Sequence, residues 1–170
     1  KKRSVVVALL ALSAGLALAT GASAKRDVLP SSSCGPVQYK GSGSPQVIIA
    51  SDLPLQGAGR SQTVEMTKAV NFILAQHGYK AGKWTVGYQS CDDATAQAGK
   101  WDSGKAAANA QAYAADKTVV GVIGTFNSGA AEIEIPVLNR AAGGPVAMVS
   151  PANTYVGLTH SGPGTDKGEP

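Results

Sequence analysis

From residue 46 onward, short apolar runs alternate with longer stretches in which apolar residues recur every three or four positions. Residues 46–50 (Gln-Val-Ile-Ile-Ala) are long enough for a buried strand and too short for a helix. Residues 61–77 carry Met66, Ala69, Val70, Ile73 and Leu74 at helical spacing, with Gly78 as the stop. The alternation of Trp84, Val86 and Tyr88 predicts a second strand over 84–89. An Ala-rich stretch, 95–115, predicts a long helix with a break near Ser103-Gly104. A third strand follows at 119–123 and a third helix at 128–141, in which Pro136 imposes a kink or an early end. Residues 145–149 make a fourth strand.

This order predicts an α/β fold, an open doubly wound, mostly parallel sheet covered on both faces. Right-handed crossovers gather the loops after the strands on one edge, where such sheets bind ligands. The candidate loops are therefore 51–60, 91–95, 125–128 and 150–154. Four strands are few for such a sheet, so the chain is expected to be the N-terminal part of a longer protein.

The ends read differently. Lys1, Lys2 and Arg3 precede an apolar run over 5–18, and Ala22-Ser23-Ala24 has the small-x-small form of a cleavage site. Residues 1–24 are expected to be an export signal, since Ser13, Gly15 and Thr20 interrupt a run already short for a membrane span. Residues 25–45, rich in Pro, Ser and Gly, read as a linker, 46–160 as the domain and 161–170 as a loop or tail. The chain has 15 Lys and Arg against 11 Asp and Glu. Three of those cations lie in the signal, so 12 remain against 11 and no basic stripe is left for nucleic acid. In an exported chain two cysteines favour a disulfide, here Cys34–Cys91. The other readings are a lipid-modified Cys34, without the apolar lead-in it needs, and a metal site, without neighbouring ligands.

Motif chemistry is sparse. Gly57-Ala58-Gly59-Arg60-Ser61 has Pro54 and Arg60 where a Walker loop needs Gly and Lys, and Gln62 where a dinucleotide fingerprint needs Gly. There is no Gly-x-Ser-x-Gly elbow. His77 and His160 lie at a helix end and in the tail; Asp92 and Asp93 read as a helix cap; Trp84, Trp101 and Tyr113 read as packing residues. Gly124-Thr125-Phe126-Asn127-Ser128-Gly129 is more informative, because it places a hydroxyl and free N–H groups at a helix N-terminus suited to a small anion. A plain N-cap explains the same residues. Ser150-Pro151-Ala152-Asn153-Thr154 ends the next strand in the same manner.

Residues 49–57 (Ile-Ala-Ser-Asp-Leu-Pro-Leu-Gln-Gly), 122–128 and 148–154 resemble, in order, the opening strand and ligand loops of type I solute-binding proteins. These are the leucine/isoleucine/valine-binding receptors of branched-chain amino-acid ABC transporters, and the resemblance covers about residues 46–160. It implies one lobe of a two-lobed, hinge-closing receptor, with the second lobe missing. It implies a ligand set of Phe126, Asn127 and Ser128 after the third strand and Ser150, Ala152, Asn153 and Thr154 after the fourth. Ser128 would take an α-carboxylate; Asn153 and Thr154, with backbone groups, would take an α-ammonium. Gln56 and Arg60 would flank the ligand side chain. Some members have a disulfide from the loop after the second strand to the binding loop, but Asn127 stands at that second position, so Cys34 is the partner left for Cys91. Arg60 is unexpected beside a purely aliphatic ligand and favours a polar amino acid, an amide or urea.

The resemblance implies an exported, non-enzymatic binding protein, periplasmic or extracellular and associated with the cell envelope. It would capture an amino acid or similar solute, without cofactor, and deliver it to a membrane permease. A sensory ligand-binding domain on the same fold and a flavodoxin-like enzyme are the alternatives. A second lobe or a transmembrane signalling segment would separate the first two, and bound FMN would identify the third.

Overall fold

A computed structural model describes residues 29, 30 and 32–162; the expected export signal and most of the expected tail lie outside the described residues. The chain runs β1 (Val47–Leu53), α1 (Arg60–Gln76), β2 (Lys80–Ala81), β3 (Trp84–Asp92), β4 (Ala94–Thr95), β5 (Lys100–Trp101), α2 (Ser103–Ala115), β6 (Val119–Gly124), α3 (Ser128–Leu138) and β7 (Ala147–Val149). Five strands form one sheet in the order β2-β3-β1-β6-β7. All its pairings are parallel except β2 with β3. β4 and β5 make a separate antiparallel hairpin.

β1 is central, and Ile48, Ala50, Ser51, Asp52 and Leu53 are fully buried. The chain leaves β1 for β3 on one side, then crosses back to β6 on the other. That reversal makes the C-terminal ends of β1 and β6 the switch point where loops diverge. Ala106, Ala110, Ala130 and Ala131 are fully buried, and these small side chains let α2 and α3 pack together. Ile48, Ala50, Tyr113, Val119, Val122 and Leu138 form the core between helices and sheet.

All four expected strands are present, with β1 and β3 extending three residues further than expected. The third helix ends at Leu138, two residues after Pro136, which is the early end that proline allows. The expected helix over 95–115 is instead a hairpin followed by α2. Gly99, at φ 62°, turns the hairpin, and Asp102 caps α2 by accepting the Lys105 N–H at 2.9 Å. Asp102→Ala is expected to lower stability by about 1 kcal/mol, read from denaturant unfolding. α1 follows its predicted span, but its apolar stripe is only partly covered: Ile73 and Phe72 are exposed, and Thr63 is its one fully buried residue.

The segment that reads as a linker is bonded to the sheet where it is described. Cys34 and Cys91 form a disulfide. Gln38 exchanges backbone hydrogen bonds with Tyr88 at 2.8 and 2.9 Å, and the Gln89 side chain bonds Leu29 and Gly35. Leu29 is buried. Backbone bonds, the Gln89 side chain, one covalent bridge and the single buried Leu29 hold this segment, and none of these needs a repeating apolar pattern.

Candidate functional site

β6 approaches β1 closely at Gly124, where a Cβ would lie 2.6 Å from the Asp52 carbonyl oxygen. Buried Thr125 follows, its Oγ1 donating to the Asn127 carbonyl at 2.6 Å, and α3 starts at Ser128. The Asn127 side chain makes no capping bond. The loop after β7 folds back against this turn. Ser150 Oγ donates to the Thr125 carbonyl at 2.8 Å and accepts from the N–H groups of Ala152 (3.1 Å) and Asn153 (2.8 Å). Asn153 Nδ2 donates to the same Thr125 carbonyl at 3.1 Å. The hydrogen-bonding capacity of Ser150 is therefore used within the scaffold.

Ser128 differs. Its Oγ accepts the N–H groups of Thr154 (3.1 Å) and Tyr155 (3.2 Å). With both lone pairs engaged, the group it retains is its O–H, a donor. That donor sits on the first residue of an 11-residue helix, where the dipole and the first-turn N–H groups favour negative charge. Ser128, Asn127, Ser150, Ala152, Asn153 and Thr154 are thus brought together, with Phe126 in the same turn.

Gln56 and Arg60 are placed differently. Gln56 Nε2 donates to Asp92 Oδ2 at 2.7 Å and to the Ala94 carbonyl at 2.9 Å. Asp92 Oδ1 accepts from Leu55 (2.8 Å) and Ala94 (2.9 Å) N–H, and Lys105 Nζ lies 3.5 Å from its Oδ2. Gln56 and Asp92 therefore tie the loop after β1 to the end of β3; Asp92 does not cap a helix. Arg60 is exposed at the start of α1. The β4–β5 hairpin, which lies where the alanine pattern predicts helix, joins this side. Ala58 N–H donates to the Gly99 carbonyl at 3.0 Å, and the Trp101 ring lies against Gly129 in the first turn of α3. The Gly99 turn and Asp102 cap were the sequence signals for it.

An open cavity of about 440 Å³ lies beside these loops, between α3, β7 and residues 150–159. Ile135, Met148 and Leu158 supply apolar lining, and Ser150, Asn153 and Thr154 supply polar lining. Its size is that of a small-molecule site. Gln56, Arg60, Phe126, Asn127 and Ser128 do not line it, so the cavity adjoins the Ser128 turn rather than containing it. Among the described residues no cluster of three or more metal-ligating side chains is placed to hold a metal ion, and no helix is long and apolar enough to cross a membrane.

No protein-family model matches the chain, and no curated protein matches it in sequence. Solved structures do resemble it. One is described as a branched-chain amino acid ABC transporter from Rhodospirillum rubrum, with 21% identity and a TM-score of 0.55. Another is a branched-chain amino acid transporter substrate-binding protein from Streptococcus pneumoniae in complex with isoleucine, with 20% identity and a TM-score of 0.52. They match 65% and 66% of this chain, which spans only 30% of the length of each. At this identity the likeness shows the fold, a lobe of the type I periplasmic-binding-protein kind.

Proposed function

We propose that this chain is most of one lobe of an exported solute-binding protein that captures an amino acid for an ABC importer. The observation that carries the reading is the Ser128 hydroxyl, restricted to donating and placed at the N-terminus of α3. A carboxylate there would accept a charge-assisted hydrogen bond and meet the positive end of the helix dipole. The loop stapled to it, 150–154, would offer the Thr154 hydroxyl and backbone carbonyls to the ammonium. The isoleucine-bound structural neighbour supports an amino acid as the ligand class. The coverage of only 30% of that neighbour supports a second lobe that closes on the ligand and supplies the facing wall. The Cys34–Cys91 disulfide supports an oxidising, extracytoplasmic location. The role is binding and delivery to a permease, without catalysis. Arg60, exposed at the start of α1 on the ligand edge, is compatible with a polar ligand side chain.

Calorimetric titration of the chain with leucine, asparagine and leucinamide tests the carboxylate grip. The expected result is weak binding of at least one free amino acid and a clear loss when its carboxylate becomes an amide. Equal binding of leucine and leucinamide would contradict the reading.

A further inference from the structure

Three carboxyls outside the candidate site are electrostatic neighbours near the C-terminal end of β1: Asp52 on β1, Asp93 just after β3 and Glu134 on α3, all at 0% exposure. Asn109 of α2 donates from Nδ2 to Asp52 Oδ1 at 2.8 Å and to the Asp92 carbonyl at 3.2 Å. As carboxylates, both oxygens of Asp93 and of Glu134 have no hydrogen-bond donor, and Asp52 Oδ2 has none within bonding distance, although the Tyr113 hydroxyl, itself unpartnered, lies near Asp52. A buried carboxylate without a donor takes up a proton rather than remain charged. A proton on either of the neighbouring acids Asp52 and Glu134 would supply the donor for a hydrogen bond between them.

The ionisable surroundings reinforce this. β1 contributes Asp52, the end of β3 contributes Asp92 and Asp93, α2 contributes Tyr113 and Lys105, and α3 contributes Glu134. Lys105 is the one cation among these groups, and it already contacts Asp92 and donates to the Ala94 carbonyl at 2.8 Å. Burial, helped by the charges of Asp52 and Asp92 and opposed by Lys105, raises Asp93 to about 8. Burial first, and the neighbouring acid second, holds Glu134 well above the ordinary carboxyl range. Burial also raises Asp52.

We propose that Asp52, Asp93 and Glu134 form a protonated latch that fastens α2 and α3 to the C-terminal end of β1 and loosens in alkali. The folded chain keeps these protons at pH values where the unfolded chain has lost them. Unfolding therefore releases protons to water, and rising pH favours it. The latch is at full strength below about pH 4, where both states are protonated, and weakens as pH climbs through the folded-state values. For Asp93 the loss is complete once pH passes about 8.

Guanidinium unfolding of the whole chain at pH 5, 7 and 9, with the Asp93→Asn and Glu134→Gln variants, tests the latch. The unfolding constant is expected to rise about tenfold per pH unit for each retained proton, and Asp93→Asn should remove about one such decade per unit below pH 8. Infrared spectra of the unsubstituted chain keep the test valid if a variant does not fold: a protonated-carboxyl C=O band should persist at pH 7 and fade in alkali. Stability that is flat or rising from pH 5 to 8, or absence of that band at pH 7, would overturn the proposal. So would stabilisation by a divalent cation at pH 7 with the band absent, since the carboxyls would then be ionised ligands.

Discussion

Replacing Cys34 and Cys91 together with serine is expected to lower the unfolding free energy by about 4 kcal/mol. The two residues are 57 positions apart, and opening so long a loop returns much conformational freedom to the unfolded chain. The location adds to the effect. Cys91 is fully buried in β3 beside β1, and Cys34 is buried against it, so the bridge fastens the leading segment to the sheet. Without it, that segment is held by hydrogen bonds and burial: the Gln38–Tyr88 pair, the Gly35–Ser90 and Ser33–Asp92 backbone bonds, the Gln89 bonds to Leu29 and Gly35, and buried Leu29. Urea unfolding with and without reductant checks this. Curves that coincide would show the segment to be held by its hydrogen bonds and the bridge to add nothing.

Ser128→Ala is expected to weaken amino-acid binding by about 1–3 kcal/mol, the loss of a charge-assisted hydrogen bond. Two effects combine. The ligand carboxylate loses its hydroxyl donor, and the N–H groups of Thr154 and Tyr155 lose the oxygen that positions them. The selective signature is a reduced preference for leucine over leucinamide. Ser150→Ala serves as the comparison, because its hydroxyl is engaged with Thr125, Ala152 and Asn153. It should disturb the loop while leaving the carboxylate preference in place. An unchanged affinity in Ser128→Ala would remove Ser128 from the site.

The sheet was legible because β1, β6 and β7 coincide with short apolar runs bounded by polar loops and β3 starts with a strict alternation. The 95–115 stretch was misread because alanines suit a helix at nearly every position, and the hairpin depends on one glycine turn and one aspartate cap. The bonded leader was hidden because its partners are backbone groups, the Gln89 side chain and a single cysteine, none of which sets an apolar period. At the site, Ser, Thr and Asn at two strand ends marked the loops. The direction of each hydrogen bond did not follow from composition: Ser150 is occupied within the scaffold while Ser128 keeps a donor. Gln56 looked like a ligand residue because it lies on the binding edge, yet its amide reaches Asp92 and Ala94. The latch left no motif, since Asp52, Asp93 and Glu134 are far apart in the chain and meet only when α2 and α3 pack on β1.

Amide chemical-shift mapping of the chain under leucine titration locates the carboxylate grip residue by residue, because it registers weak binding by a single lobe. Shifts are expected to concentrate at Ser128, Gly129 and 152–155, to be smaller with leucinamide and to be largely lost in Ser128→Ala. Shifts confined to Ile135, Met148 and Leu158, or no shifts for any free amino acid, would contradict that grip.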